Sequence, residues 1–531
     1  MLKRAQEIAD LGMGEADVSA IPPRRPAELS RYGVDGKASL LKRHDDSRRL
    51  ATLPATATCL TTRAVDDALD LPAVLIVTKP PARAASRTPS TTFRRAPIRT
   101  VSRVTSGPCH VQAACSHLVG VSKRAEEDGT MSARQETSTA NAHRVAILGA
   151  GYAGMAAAVQ LAARAKRHED VQVTVVNAQE RFTERMRLHM TATGQRLAEL
   201  SIPELLEGTG ARFVRGWVTA VDADAKTVRI DDDRVLHYDT LVYGLGGVAD
   251  TSAVPGAEDH AYTLSSAQDA ESLADRLAWL GSGTVVVAGS GLTGIESAAE
   301  IAERHPRLNV VLLGRQEPGA AMSPKAKAYL RAALDRLGVQ VRVGVEVAKV
   351  LPDAVELAGG ESIAADAVLW TSGTRVSRLA VAAGLAVDER GRIVTDAALR
   401  SVSHPDVYAI GDAAAIRQGY GVMHGTCQGG MPSGVHAALS IDRVLKGKQP
   451  KPFRFGYYHT PVSLGRGDAV VQFTRPDDSP RRICLTGRMA VRYKETVTAS
   501  PWPTYGRMTK MPASGAFWPR GGRFTRVRGA K

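Results

Sequence analysis

An α/β fold with two Rossmann-like dinucleotide-binding domains and a small C-terminal interface region is predicted by three observations. A glycine fingerprint, Gly149-Ala150-Gly151-Tyr152-Ala153-Gly154, recurs 140 residues later as Gly289-Ser290-Gly291-Leu292-Thr293-Gly294. Each copy sits between a β-branched apolar run and an Ala-rich stretch of helical character. Each is then followed by a second short apolar run, as a parallel βαβ unit requires.

The elements follow in order. Residues 143–148 read as a buried parallel strand and 155–165 as the helix behind it. Between them the first glycine makes the tight turn, the second lets backbone approach a pyrophosphate, and the third lets helix and strand pack closely. The pyrophosphate then meets the positive end of the helix. Residues 173–176 form the next strand and end at Asn177, where an acid usually takes ribose hydroxyls. An amide there can still bond them, and Glu180 is nearby. A polar loop with Arg185, Arg187 and His189 comes next. Runs at 212–216 and 227–230, with acidic turns between them, predict a small β excursion. Residues 237–243 return to the sheet and end in Gly244-Leu245-Gly246-Gly247.

The second unit repeats the pattern with a strand at 284–288, a helix at 295–304 and a strand at 310–313 that runs into Gly314-Arg315. With no carboxylate at Gly314 and an arginine after it, a 2′-phosphate is tolerated, which suits NADPH at least as well as NADH. The preference stays open. Residues 369–374 mark the crossing back, and 406–414 form a strand that runs directly into Gly411 and Asp412. The expected organisation is a leader (1–140), a first nucleotide domain in two parts (141–253 and 371–440), a second nucleotide domain (254–370) and an interface region (441–531).

At 531 residues the chain exceeds the size of one hydrophobic core. No apolar stretch reaches the roughly 18–20 residues of a spanning helix, and the N-terminus lacks the layout of a signal peptide. The cytoplasm, or the cytoplasmic face of a membrane, is the expected location. The cysteines Cys59, Cys109, Cys115, Cys427 and Cys484 form no CxxC or CxxxxC pair, which argues against a dithiol centre or an iron–sulfur cluster. No metal-ligand cluster is expected. The first 130 residues are rich in Arg, Pro, Ser and Thr and are expected to be mostly disordered. Glu126-Glu127-Asp128-Gly129-Thr130-Met131 could be encoded by a ribosome-binding sequence and a true start at Met131, which would make the leader an artefact of start-site choice. Peptides from upstream of Met131 in the natural protein would sink that idea.

The fingerprints, the crossing at 243–247 and the strand into Asp412 occur in the order of two-dinucleotide-domain flavoproteins. Over residues 141–440 the chain resembles FAD-dependent pyridine nucleotide-disulphide oxidoreductases, most closely those related to type II NADH dehydrogenases. The resemblance implies FAD at Gly149, Gly151 and Gly154, with Asp412 at its ribityl or pyrophosphate region. It implies NAD(P)H at Gly289, Gly291 and Gly294, and Glu296 near the nicotinamide. Arg185, Arg187, His189, Gly246, His424, Cys427 and Gln428 are candidates for the flavin's surroundings, with Glu296 and Gln428 as the catalytic candidates. Where those relatives carry Ala-Gln and a second Gln four residues on, this chain has Cys427-Gln428 and Pro432. One glutamine is kept and one is lost.

The chemistry implied is hydride transfer from NAD(P)H to FAD and onward to an acceptor, which the resemblance makes a quinone or other small molecule. Charge distribution bears on partners. Of the formal +15, residues 481–531 carry +11, with Arg481, Arg482, Arg488, Arg492, Lys494, Arg507 and Lys510 interleaved with Met489, Tyr493, Trp502, Tyr505 and Met508. Such a segment suits an anionic membrane surface, although prolines and glycines interrupt any long amphipathic helix. It equally suits an acidic redox protein such as a ferredoxin. No zinc, helix-turn-helix or RNA-platform pattern points to a specific nucleic acid. A homodimer and a non-catalytic, nucleotide-holding redox sensor are the remaining alternatives.

Overall fold

In the computed structural model, which describes residues 142–168 and 170–526, the first apolar run forms β1 (His143–Leu148) at the centre of a five-stranded parallel sheet. The last four residues of β1 are at most 1% exposed, because a strand covered on both faces needs continuous apolar character. Helix α1 (Tyr152–Ala165) and β2 (Val171–Asn177) follow. A one-turn helix α2 (Leu188–Thr191) then leads to β3 (Ala211–Arg215) and β4 (Thr240–Tyr243). The strand Val407–Ala409 completes the sheet beside β4. Leu148 lies opposite both Val176 and Tyr243, so the carboxyl ends of β1, β2 and β4 open on one crevice.

Two details differ from the sequence expectation. The helix starts at Tyr152 rather than 155, so Gly154 lies in its first turn, where close packing against the Gly149 carbonyl requires a residue without Cβ. Residues 211–215 belong to the main sheet, paired in parallel with β2. Only the three antiparallel strands between Val218 and His237 form the excursion. β3 is an edge strand with mostly half-exposed residues, so its sequence lacks the apolar run that marks the inner strands.

The second parallel sheet has β5 (Gly283–Ala288), β6 (Leu308–Gly314), β7 (Gln340–Val343) and β8 (Ala367–Trp370) in the spatial order β7-β6-β5-β8. Helix α3 (Leu292–Arg304) connects β5 to β6 and is buried over most of its length. A two-stranded ribbon of Gly247–Ala249 and Thr374–Val376 carries both crossings between the sheets. Helix α4 (Cys427–Leu445) packs along α1, with Gly434 against the Ala153 backbone.

The C-terminal region is more ordered than a basic tail. Antiparallel strands β9 (His459–Ser463), β10 (Ala469–Thr474) and β11 (Pro480–Thr486) precede helices α5 (Gly487–Ala499) and α6 (Pro501–Lys510). Pro501 separates the helices without abolishing the second. It stands at the start of α6, where its missing N–H has no intrahelical partner to lose. α6 returns to α1: Tyr505 is fully buried and donates its hydroxyl to the Tyr152 carbonyl at 3.0 Å. The leader and its proposed start at Met131 lie outside the described residues.

Candidate functional site

Each fingerprint builds a cradle of the same construction. Gly149 has φ +88°, and a Cβ there would stand 2.6 Å from the Gly244 carbonyl oxygen, so the turn and the crossing strand demand glycine together. Gly151, which begins α1, has open space where its Cβ would be, so a ligand phosphate can approach the helix N-terminus. In the second unit Gly289 has φ +126° and faces Thr371 and Ser372, Gly294 closes on the Gly289 carbonyl, and Gly291 is open like Gly151. Both cradles therefore fit a pyrophosphate.

Asn177 reaches the first cradle. Its Oδ1 accepts the Ala150 N–H at 3.0 Å and its Nδ2 donates to the Gln179 carbonyl at 2.7 Å, leaving one N–H and one lone pair for a ligand. Arg315 stands exposed at the end of β6, 3.9 Å from Glu346, so part of its charge is already answered by a carboxylate.

A cleft beside the first cradle is lined by Asp412, Arg392, Met423, His424, Thr426 and Gly430. Asp412 follows Gly411, which has φ +62° and donates its N–H to Ser433 Oγ at 3.0 Å. Burial raises the Asp412 carboxyl above its ordinary value, and Arg185, Arg392 and His424 pull it back. Arg185 arches over the crossing, donating to the Gly247 carbonyl at 2.6 Å and approaching Gly246, which has φ +68°.

Arg187 is placed differently from the sequence expectation. Its guanidinium is held by Glu184 at 3.2 Å, Glu495 at 3.1 Å and Thr498 at 3.3 Å, in a network that ties this loop to α5. Arg185 instead bonds the crossing at Gly247 and acts on Asp412 through its charge, while Arg392 lines the cleft.

One catalytic candidate, Glu296, sits in a buried charge cluster between α2, α3, β9 and α5, and the other, Gln428, bonds to the far end of β9. Glu296 Oε1 accepts from Lys494 Nζ at 2.5 Å and from the Ser463 N–H at 3.0 Å. His189 Nδ1 lies 3.9 Å from Glu296 Oε2. Burial pushes the Glu296 carboxyl up, and Lys494, the largest opposing influence, leaves it below its ordinary value. Burial also lowers the His189 imidazole to about 4, so it is neutral at physiological pH and not a charged partner. At the start of α4, Gln428 Nε2 donates to the His459 carbonyl at 2.6 Å, while its Oε1 is buried without a partner among the described residues. The neighbouring Cys427 thiol is pushed up to about 11 by burial, with Asp412 as the next cause, and stays protonated. The thiol also feels the Lys494 charge, so the Asp412 cleft and the Glu296 pair are neighbours.

Lys494 was hidden in the sequence among the tail's basic residues. One signal could have found it: Ala490, Lys494 and Thr498 recur every four residues and form the buried face of α5. A lysine on that stripe needs an acidic partner in the core.

A two-sheet fold with paired dinucleotide cradles and a cleft beside the first of them defines a flavoprotein that also binds a nicotinamide nucleotide. Residues 143–439 match the family described as pyridine nucleotide-disulphide oxidoreductase, and the chain belongs to it. It is 33% identical over 379 residues to the NADH dehydrogenase-like protein Rv1812c of Mycobacterium tuberculosis, covering 67% of this chain and 92% of that protein. It is 28% identical to the demethylphylloquinone reductase NdbB of Synechocystis, covering 68% and 93%. The solved NDH2 of Plasmodium falciparum superposes with a TM-score of 0.58 at 14% identity, covering 70% of this chain and 98% of that one, and shares the fold. The protein is therefore an FAD-dependent NAD(P)H oxidoreductase related to type II NADH dehydrogenase-like proteins, which sets aside the non-catalytic sensor reading. When bound, FAD accepts a hydride from NAD(P)H and passes electrons to a second substrate.

Proposed function

We propose that the Gly149, Gly151 and Gly154 cradle holds FAD together with Asn177, Gly246, Gly411 and Asp412. The Gly289, Gly291 and Gly294 cradle holds NAD(P)H, and the second substrate is a quinone. The observation that carries the quinone reading is the buried Lys494–Glu296 pair near the N-terminus of α4. Overall, NAD(P)H, one proton and a quinone give NAD(P)+ and a hydroquinone, so the acceptor site must be supplied with a proton. Lys494 Nζ is the N–H donor placed there, and its bond to Glu296 fixes it inside the core. Gln428 Oε1 is left to accept from an O–H or ring N–H. Demethylphylloquinone reductase and NADH:quinone oxidoreductase are the activities named for several relatives.

A lipid-soluble acceptor calls for membrane contact. Among the described residues no helix is long and apolar enough to cross a bilayer. Exposed Arg481, Arg482 and Arg488 flank Ile483 and Met489, whose side chains are 66% and 68% exposed, and this face suits peripheral docking on anionic lipid at the cytoplasmic surface.

The deciding experiment compares NADH and NADPH oxidation with a short-chain quinone and with a ferredoxin. Rapid quinone turnover is expected, and pelleting with vesicles that contain phosphatidylglycerol should fall as salt rises. Turnover with ferredoxin alone would move the reading to a protein carrier, which the same arginines would steer. Arg315→Ala is expected to lower the NADPH/NADH ratio of kcat/KM about tenfold, the value of one charged hydrogen bond. An unchanged ratio would show that Arg315 does not touch the 2′-phosphate.

A further inference from the structure

Helix α3 carries three glutamates at positions 296, 300 and 303, a spacing of four and three that places them along one face. Glu296 belongs to the pair with Lys494. Glu300 is fully buried, and the reading above gives it no task. Its Oε1 accepts from Gln195 Nε2 at 2.5 Å, but its Oε2 has no partner among the described residues. His189 Nε2, on the helix packed against this face, is likewise buried and unpartnered. Glu303 is exposed and accepts the Arg466 N–H at 2.6 Å. The face thus runs from the acceptor-side pair to solvent with a carboxyl at each turn. About 5.4 Å of helix separates successive turns, a gap that one water spans.

We propose that Glu300 is the middle station of a proton route along α3, refilled from solvent at Glu303 and passing its proton by way of Glu296 to Lys494. The inference rests on the reading of a proton-consuming quinone as acceptor. Each turnover consumes one proton: Lys494 gives it to the acceptor oxygen, Glu300 restores it through the Glu296 carboxylate, and Glu300 is reprotonated from water. Electrons do not travel this way.

The surroundings suit a group that holds and releases a proton. Burial, the largest influence, raises the Glu300 carboxyl to about 6, with Glu303 acting in the same direction and Gln195, Arg466 and Arg304 opposing. From the elements packed on α3, α2 brings the neutral His189, and β9 brings His459, bonded to the Tyr493 hydroxyl at 2.7 Å. β5 and β6 bring no titratable side chain. Glu300 is therefore mostly ionised at neutral pH, with a protonated fraction ready to move inward.

The test is Glu300→Gln in the full chain with its flavin, by two measurements. In pH-difference infrared spectra, the wild-type protein should show a carboxylic C=O band that grows as pH falls through about 6, and Glu300→Gln should lack it. In turnover, the substitution should slow quinone reduction about tenfold, less than loss of a direct general acid. It should also remove an inflection from the pH profile. Turnover with ferricyanide, which takes electrons without protons, should be unchanged and so certify the fold. Persistence of the infrared band in the variant, or equal losses with both acceptors, would overturn the route. A wild-type protein active with ferricyanide and inert with quinones would overturn the acceptor reading instead, and with it the route's purpose.

Discussion

Lys494→Met is expected to lower the unfolding free energy by about 3–5 kcal/mol near neutral pH, because it leaves the Glu296 carboxylate buried without its cation. Glu296 is 9% exposed, and among the described residues its close polar contacts apart from Lys494 are the Ser463 N–H and a neutral imidazole. Those two cannot replace an ammonium at 2.5 Å. The pH dependence identifies the cause. In the wild-type protein the folded Glu296 carboxyl lies below its ordinary value, so its contribution is present above the unfolded pKa and lost as pH falls through the folded one. In Lys494→Met burial loses its largest opponent, with the Ser463 N–H left against it, and the folded pKa rises above the unfolded value of about 4.3. The penalty then grows as pH rises above that value and shrinks toward acid. Chemical denaturation from about pH 5 to 8 should show the variant's deficit widening with pH. Adding Glu296→Gln should recover much of the loss at neutral pH, since a neutral pair leaves no stranded charge. A deficit that is flat with pH would mean that Lys494 acts through packing of its stem and not through Glu296. In activity, the single variant should keep reduction of the bound flavin by NADH and lose quinone turnover.

Much of the fold was legible because the diagnostic residues are local. Gly149 and Gly289 owe their identity to a positive φ and to a strand a few ångströms away, and both demands recur in the fixed spacing of the fingerprint. The inner strands announced themselves because they are covered on both faces. β3 did not, since an edge strand has too little burial to impose an apolar run. The candidate site was legible only where one segment supplies it. Asp412 follows its strand directly, and the same segment carries it into the cleft. Lys494 lies 198 residues from Glu296, and nothing near either residue in sequence names the other. Arg185 and Arg187 stand two residues apart in one turn. Only the placement of Glu495, more than 300 residues away in sequence, decides that Arg187 pairs there while Arg185 bonds the crossing at Gly247.

The largest functional effects should come from the two fingerprint glycines that have no structural reason to be glycine. Gly151 has φ −73° and Gly291 φ −71°, conformations open to any residue, and a Cβ at either meets nothing within 4 Å. Valine at these positions should cost the apo fold little, about 0.5 kcal/mol or less. Each nevertheless places a branched side chain where a pyrophosphate must approach the helix N-terminus. Gly151→Val is therefore expected to purify folded and colourless, with no bound flavin. Gly291→Val should purify yellow, with a flavin that dithionite reduces and NADH and NADPH do not, and with KM for either nucleotide raised by on the order of 10²-fold if turnover is measurable at all. Gly154→Ala serves as the contrast: its Cβ would collide with the Gly149 carbonyl, so the whole domain should be destabilised, with flavin loss as a by-product. Absorbance, thermal melting and anaerobic reduction of the three proteins separate the cases. If Gly291→Val were colourless and Gly151→Val yellow, the two cradles would hold the opposite cofactors. If both variants kept flavin and nucleotide reduction, the pyrophosphates would bind elsewhere, and the open space beside Gly151 and Gly291 would have no role in the chemistry.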